Sequence, residues 1–190
     1  MNKQLDEKAR AYLMNAKLTK WQIERLEKVG YFTAPAAMRH HLNRPQGLIE
    51  HSINVVDRML ALGAFKDRRS SYRVGMLHDL VKCFCYRAKV KDGKTTYSFN
   101  QPPYPGHGVA SALICDDLNI DLFPDERAAI VWHMGAYGLD EDTLKEFGAA
   151  KLRYPSAILL THAADDLAAT EETIAAFNES YGEDDEGVVA

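Results

Sequence analysis

Four histidines and two aspartates carry the chemistry that this sequence could perform: His51, His78, Asp79, His107, His133 and Asp165. His78 and Asp79 sit side by side inside an apolar stretch, with Val74-Gly75-Met76-Leu77 before them and Leu80-Val81 after. Burying an imidazole and a carboxylate together is costly unless both are compensated. A divalent ion compensates both, since it takes a neutral imidazole nitrogen and a carboxylate oxygen at once. The positions recur every 26 to 32 residues, about one helix and a return. In an antiparallel helical bundle such spacing returns each position to the same end. Six protein ligands exceed what one ion with an open position uses. Two ions about 3.5–4 Å apart, sharing a carboxylate, use them all. A mixed imidazole and carboxylate set suits Mn, Fe, Co, Ni or Zn better than Mg or Ca. Each residue alone has a plainer reading: a hydrogen-bonded core histidine at 51, a loop histidine at 107, a dipole-facing histidine at 133, a paired carboxylate at 165. One hypothesis accounts for all of them together.

Helices must position these residues. Leu5, Ala9, Tyr12, Leu13 and Ala16 fall at helical spacing in residues 3–17. Thr19-Lys20-Trp21-Gln22 is a capping-box pattern and opens a second helix, with Trp21, Leu26 and Val29 inward and Gly30 as its stop. Residues 31–45 read as a loop with room for one short helix. Residues 47–62 form a strong helix whose apolar face, Leu48, Val55, Met59 and Leu62, lies on or beside His51. Ser70 is placed to cap the next helix, which holds His78-Asp79. Residues 86–99 break the pattern, because Asp92-Gly93 between two β-prone runs predicts a hairpin. Helices follow at 109–118, 125–134 and 156–168, with a further one at 171–177; residues 135–148 read as loop with a short helix. The expected architecture is an all-α bundle with one small inserted β-hairpin near 86–99. It forms a single domain over 1–178, with the metal-site core at about 40–170 and an acidic mobile tail at 179–190.

Composition sets the outer bounds. A chain of 190 residues with 46% hydrophobic and 26% charged residues is ordinary for a globular domain. A net charge of −4 argues against a general nucleic-acid-coating protein, with no extended nucleic-acid surface evident, yet permits a small nucleotide-like partner. No apolar run reaches the ~18 residues of a membrane span, and the polar N-terminus lacks a signal-peptide core. Cys83, Cys85 and Cys115 are an odd number of cysteines, read as reduced structural thiols. A cytoplasmic location is expected.

The order His, His-Asp, His, His, Asp on successive helices resembles the HD-domain superfamily of metal-dependent phosphohydrolases. The segments that carry the resemblance are Gly47-Leu48-Ile49-Glu50-His51-Ser52, Leu77-His78-Asp79-Leu80-Val81-Lys82, Gly106-His107-Gly108, Trp132-His133-Met134-Gly135 and Tyr154-Pro155-Ser156-Ala157-Ile158-Leu159-Leu160, with Ala164-Asp165 after them. They are similar to small stand-alone HD hydrolases of bacteria and phages, and to the HD domain of an OB-fold-bearing 3′→5′ exoribonuclease. Met134 departs from the latter, which carries a second histidine there. The resemblance implies an HD-type helical bundle with two divalent transition-metal ions. His51, His78, Asp79 and Asp165 would hold the first ion, Asp79 would bridge, and His107 and His133 would hold the second. Lys82, one turn after Asp79, would meet a phosphate oxygen and assist catalysis with Asp79. His41 and Arg44 would face substrate, and His162 would hold a ligand's geometry. The implied activity is hydrolysis, by a metal-activated hydroxide, of a phosphomonoester or phosphodiester of a nucleotide or short oligonucleotide. A di-iron oxygenase of the same fold, or a non-catalytic regulatory protein, is the alternative.

Overall fold

The structure is a computed structural model and describes residues 1–38, 42–91 and 93–182. It has the all-α architecture expected, with one small antiparallel hairpin inserted. Helix α1 (Lys3–Asn15) is capped by the Asn2 side chain, which accepts from the Gln4 and Leu5 amides. Helix α2 (Lys20–Lys28) opens on the expected Thr19–Gln22 capping box. Its buried residues are Ile23 and Leu26, whereas Trp21 is half-exposed beneath the Arg25 guanidinium. At 100° per residue Trp21 lies roughly 160° round the helix from Ile23, so both cannot face the core.

Helix α3 (Gly47–Leu62) is the central strut, with Leu48, Ile49, Ile53, Val55, Val56 and Met59 buried. Helix α4 (Arg68–Leu77) is capped by Asp67, not Ser70; the Asp67 carboxylate accepts from the Arg69 amide and Ser70 is buried within the first turn. The helix closes at Leu77. His78 is its C-cap, and Asp79 lies in the tight turn before the single-turn helix α5 (Lys82–Cys85). Strands β1 (Tyr86–Lys91) and β2 (Lys94–Phe99) pair from Tyr86 opposite Phe99 to Lys91 opposite Lys94. Asn100 pins the base of the hairpin, its amide donating to the Cys85 carbonyl and its side chain to that of Phe84.

Helix α6 (His107–Asp117) starts two residues earlier than the apolar pattern suggests, at His107 itself. Helix α7 (Pro124–Trp132) follows, with Glu126 accepting from the Phe123 amide. Residues 135–148 differ from expectation: helix α8 spans Glu141–Arg153, capped by Asp140 with Glu141 and Asp142 in its first turn. Helix α9 runs unbroken from Pro155 to Gly182, where two helices were expected. No Gly or Pro interrupts residues 156–181, so nothing in the sequence stops it. It passes through the expected tail boundary at 178; residues 183–190 lie outside the described part. Among the described residues no helix is long and apolar enough to cross a membrane.

Helix α3 packs against α1, α4 and α9, and α7 packs against α4, α6 and α9. Arg73 on α4 reaches the fully buried Glu126 of α7 at 3.0 Å and also donates to the Ala16 carbonyl after α1. Two glycines permit close helix approach beside the aligned polar residues. A Cβ on Gly75 would meet Val56 Cγ2 of α3 at 2.6 Å, and one on Gly108 would meet the Val131 and Ile130 carbonyl oxygens of α7 at 2.3 and 2.5 Å. The second contact is with backbone, which cannot swing aside. Gly108→Ala is therefore expected to destabilise the fold by about 2–3 kcal/mol, as overpacking does. A urea denaturation midpoint measures it, and an unchanged midpoint would contradict the close approach.

Candidate metal centre

The structure brings His51, His78, Asp79, His107, His133 and Asp165 to one end of the bundle. Three helix termini do most of this. His78 and His133 are the C-caps of α4 and α7, and His107 is the first residue of α6. The last carbonyls of a helix have no partner within it. His78 and His133 use them, each ring donating its Nδ1–H to the carbonyl three residues back: Gly75 at 2.9 Å and Ile130 at 2.7 Å. That places one proton on Nδ1 and leaves Nε2 pointing away from the helix. Both Nε2 atoms are fully buried and make no hydrogen bond. They face carboxylates instead. His78 Nε2 lies 3.4 Å from Asp79 Oδ2 and 3.6 Å from Asp165 Oδ1, and His133 Nε2 lies 3.5 Å from Asp79 Oδ1. Lone pairs facing anions repel, so a proton or a cation must come between them.

Asp79, 3% exposed, is the shared member. Its Oδ1 faces His133 and hydrogen-bonds His107 Nε2, while its Oδ2 faces His51 Nε2 at 3.6 Å and His78. The Lys82 ammonium reaches the same Oδ2 at 2.5 Å. His51 stands in the second turn of α3, with Nε2 3.0 Å from Asp165 Oδ1. Two ligands each about 2.0–2.2 Å from one ion lie at most about 4.4 Å apart. Each of these separations is inside that limit. Three overlapping groups can each hold an ion: His51, His78 and Asp79; His78, His133 and Asp165; Asp79, His107 and His133. The donor set of imidazoles and carboxylates therefore fits divalent transition metals.

Electrostatics show how hard the site works without an ion. Burial alone would lift the Asp79 carboxyl, but Lys82, His78 and His107 hold it well below the ordinary range. Burial also opposes ionisation of Asp165, and the imidazoles of His51 and His78 overcome it. Desolvation pulls the His78 pKa down, yet Asp79 and Asp165 push it up to about 10. His133 goes the other way, because burial dominates and keeps its ring neutral.

The remaining expected residues fall around this centre. His162 on α9 donates Nδ1–H to the His133 carbonyl at 2.7 Å, and its ring packs beside Gly135. Lys82, expected near the carboxylates, is there and mostly buried, with its charge preserved by Asp79. Arg44 lies apart. It pairs with Glu50 at 2.9 Å in a cleft of about 320 Å³ that also includes Asn54 and Glu172, on the Nδ1 side of His51. His41 lies outside the described residues. The cysteines are unpaired thiols, and burial raises the pKa of each, that of Cys115 to about 12, so they are inert as nucleophiles. Sequence reasoning missed Glu172, which hydrogen-bonds His51 Nδ1. The signal was available: Glu172 follows Asp165 by seven residues, two helical turns, and shares its face once α9 is continuous.

The shifts set a pH response. The depressed pKa values of Asp79 and Asp165 give the metal-free protein stability that is present above about pH 4 and lost as pH falls. The raised pKa of His78 gives stability fully present below about pH 6.5 and lost as pH climbs toward 10. Metal must displace the His78 proton, so its binding should tighten as pH rises and should release protons. Thermal melts in EDTA between pH 3 and 10, with calorimetric metal titrations in buffers of different ionisation enthalpy, measure both effects.

No family model, curated protein or solved structure matches the chain.

Proposed function

We propose that this protein is a metal-dependent phosphohydrolase acting on a phosphomonoester or phosphodiester of a nucleotide or short oligonucleotide, with two divalent ions bridged by Asp79. The observation that carries the reading is the division of Asp79. Its two oxygens face different imidazoles, His51 and His78 on one side and His107 and His133 on the other, and two of those imidazoles, His78 and His133, have buried Nε2 atoms without hydrogen bonds. A bound pair of ions supplies an activated water and neutralises charge on phosphorus-bound oxygen. The chain's own groups do the rest. His78 and His133 are locked in one tautomer by helix-end carbonyls, so no reorganisation is needed when they ligate. His107, about a third exposed, marks the open side from which substrate arrives. Lys82 keeps its ammonium beside Asp79 in a mostly buried position, suited to a phosphate oxygen in a low-dielectric setting.

The hairpin adds charge just after Lys82 in the chain. It springs directly from α5 and its base adjoins Lys82. Arg87 and Lys89 share one face of β1 and are exposed, opposite Ser98 and Thr96, without an acidic partner among the described residues. In a chain of net charge −4 this local excess favours a phosphate chain longer than one nucleotide.

Two measurements test the reading. Asp79→Ala is expected to abolish both bound metal and hydrolysis of nucleotide mono- and diesters, whereas Lys82→Met keeps the metal and loses about 100-fold in turnover, as removal of one charge-stabilising donor does. Hydrolysis that survives Asp79→Ala rules the mechanism out, and tightly bound iron with oxygen consumption but no hydrolysis would favour an oxygenase. Arg87→Glu with Lys89→Glu should weaken binding of a short oligonucleotide at low salt and leave a mononucleotide unaffected; equal effects on both would remove the hairpin from the substrate path.

A further inference from the structure

Of the four gathered histidines, His51 alone stands well inside a helix, in the second turn of α3. Its neighbours' carbonyls are engaged in the helix, so it cannot steady its ring as His78 and His133 do with helix-end carbonyls. The structure solves this from another element. Glu172, on α9 and 8% exposed, places Oε2 at 3.0 Å and Oε1 at 3.2 Å from His51 Nδ1. Asn54, one turn along α3 from His51, donates to Glu172 Oε1 at 2.8 Å and fixes the carboxylate. On the opposite side of the ring, Nε2 meets Asp165 Oδ1 at 3.0 Å. The ring is thus held between two carboxylates of the same helix, two turns apart.

We propose that Glu172 is the positioning residue of His51, with Asn54 as its clamp: it accepts the Nδ1–H, fixes the tautomer, and aims the Nε2 lone pair at the ion held with His78 and Asp79. The inference rests on the metal reading above and names a member of the site that lies beyond its six ligands. A carboxylate acceptor makes an imidazole a stronger metal donor than a carbonyl acceptor does, and loss of such a partner typically costs 10–100-fold in metal affinity. His51 is therefore the ligand most sensitive to a single distant side chain. The two histidines that lean on backbone carbonyls have no side chain there to remove.

The test is a titration of the full-length, metal-stripped protein with Co(II), following the visible d–d absorption and the affinity of each binding step. Glu172→Ala should weaken one step by 10–100-fold and alter its spectrum, with the other step little changed. Glu172→Gln, whose amide oxygen can still accept Nδ1–H, should recover part of the loss. Asn54→Ala should weaken the same step several-fold, and it carries the test with Glu172→Gln if Glu172→Ala fails to fold. Urea midpoints in EDTA separate stability from affinity. Variants less stable than wild type but with wild-type Co(II) affinity and spectrum would make Glu172 merely structural and overturn the proposal, leaving the metal reading intact. Wild-type protein that binds no Co(II) would instead overturn the metal reading and this inference with it.

Discussion

A buried carboxylate that cannot be left alone governs this molecule. Asp79 is almost inaccessible to solvent, and its charge is approached by Lys82, His51, His78, His107 and His133. An isolated anion in such a place would be neutralised by a pKa rise. Here the pKa falls instead, because Lys82 on α5, His78 at the end of α4 and His107 at the start of α6 converge on it. The apolar core assembles the bundle, but the convergence at this end is an electrostatic condition. Gly75 and Gly108 belong to the same requirement, since each allows a helix to come close enough for its imidazole to reach the carboxylate.

Helix ends are the local device. The turn between α4 and α5 carries Asp79, and the carbonyls at the ends of α4 and α7 take the Nδ1 protons of His78 and His133. The backbone thereby orients two ligands with no further side chain. His51 lacks that option and draws on Glu172, which ties the body of α9 to the second turn of α3. The length of α9 is thus more than a packing accident: one unbroken helix carries Asp165 for one nitrogen of His51 and Glu172 for the other.

Around this centre the molecule is unequal in charge. The chain as a whole carries a net charge of −4, while the exposed face of β1 that holds Arg87 and Lys89, directly after α5, is basic. Such local asymmetry shapes the field that a charged partner meets.

The all-α class, the hairpin at Asp92-Gly93, the Thr19 capping box and the six aligned polar positions were legible in the sequence, because each depends on local pattern or on regular spacing. Other features were not. Trp21 and Ile23 compete for one face of α2, and only packing decided for Ile23. Asp67 and Ser70 are both competent caps three residues apart, and the position of the first helical turn chose Asp67. Residues 141–153 bury Phe147 alone, and the full length of their helix shows only where it rests on α9. Nothing in the local sequence singled out Glu172; the continuity of α9 carries it onto the ring of His51. The sequence by itself determined which residue types recur and at what interval, since periodicity is written along one dimension. Only the tertiary structure decided which nitrogen faces which oxygen, because that depends on helix ends and on contacts between residues more than a hundred positions apart.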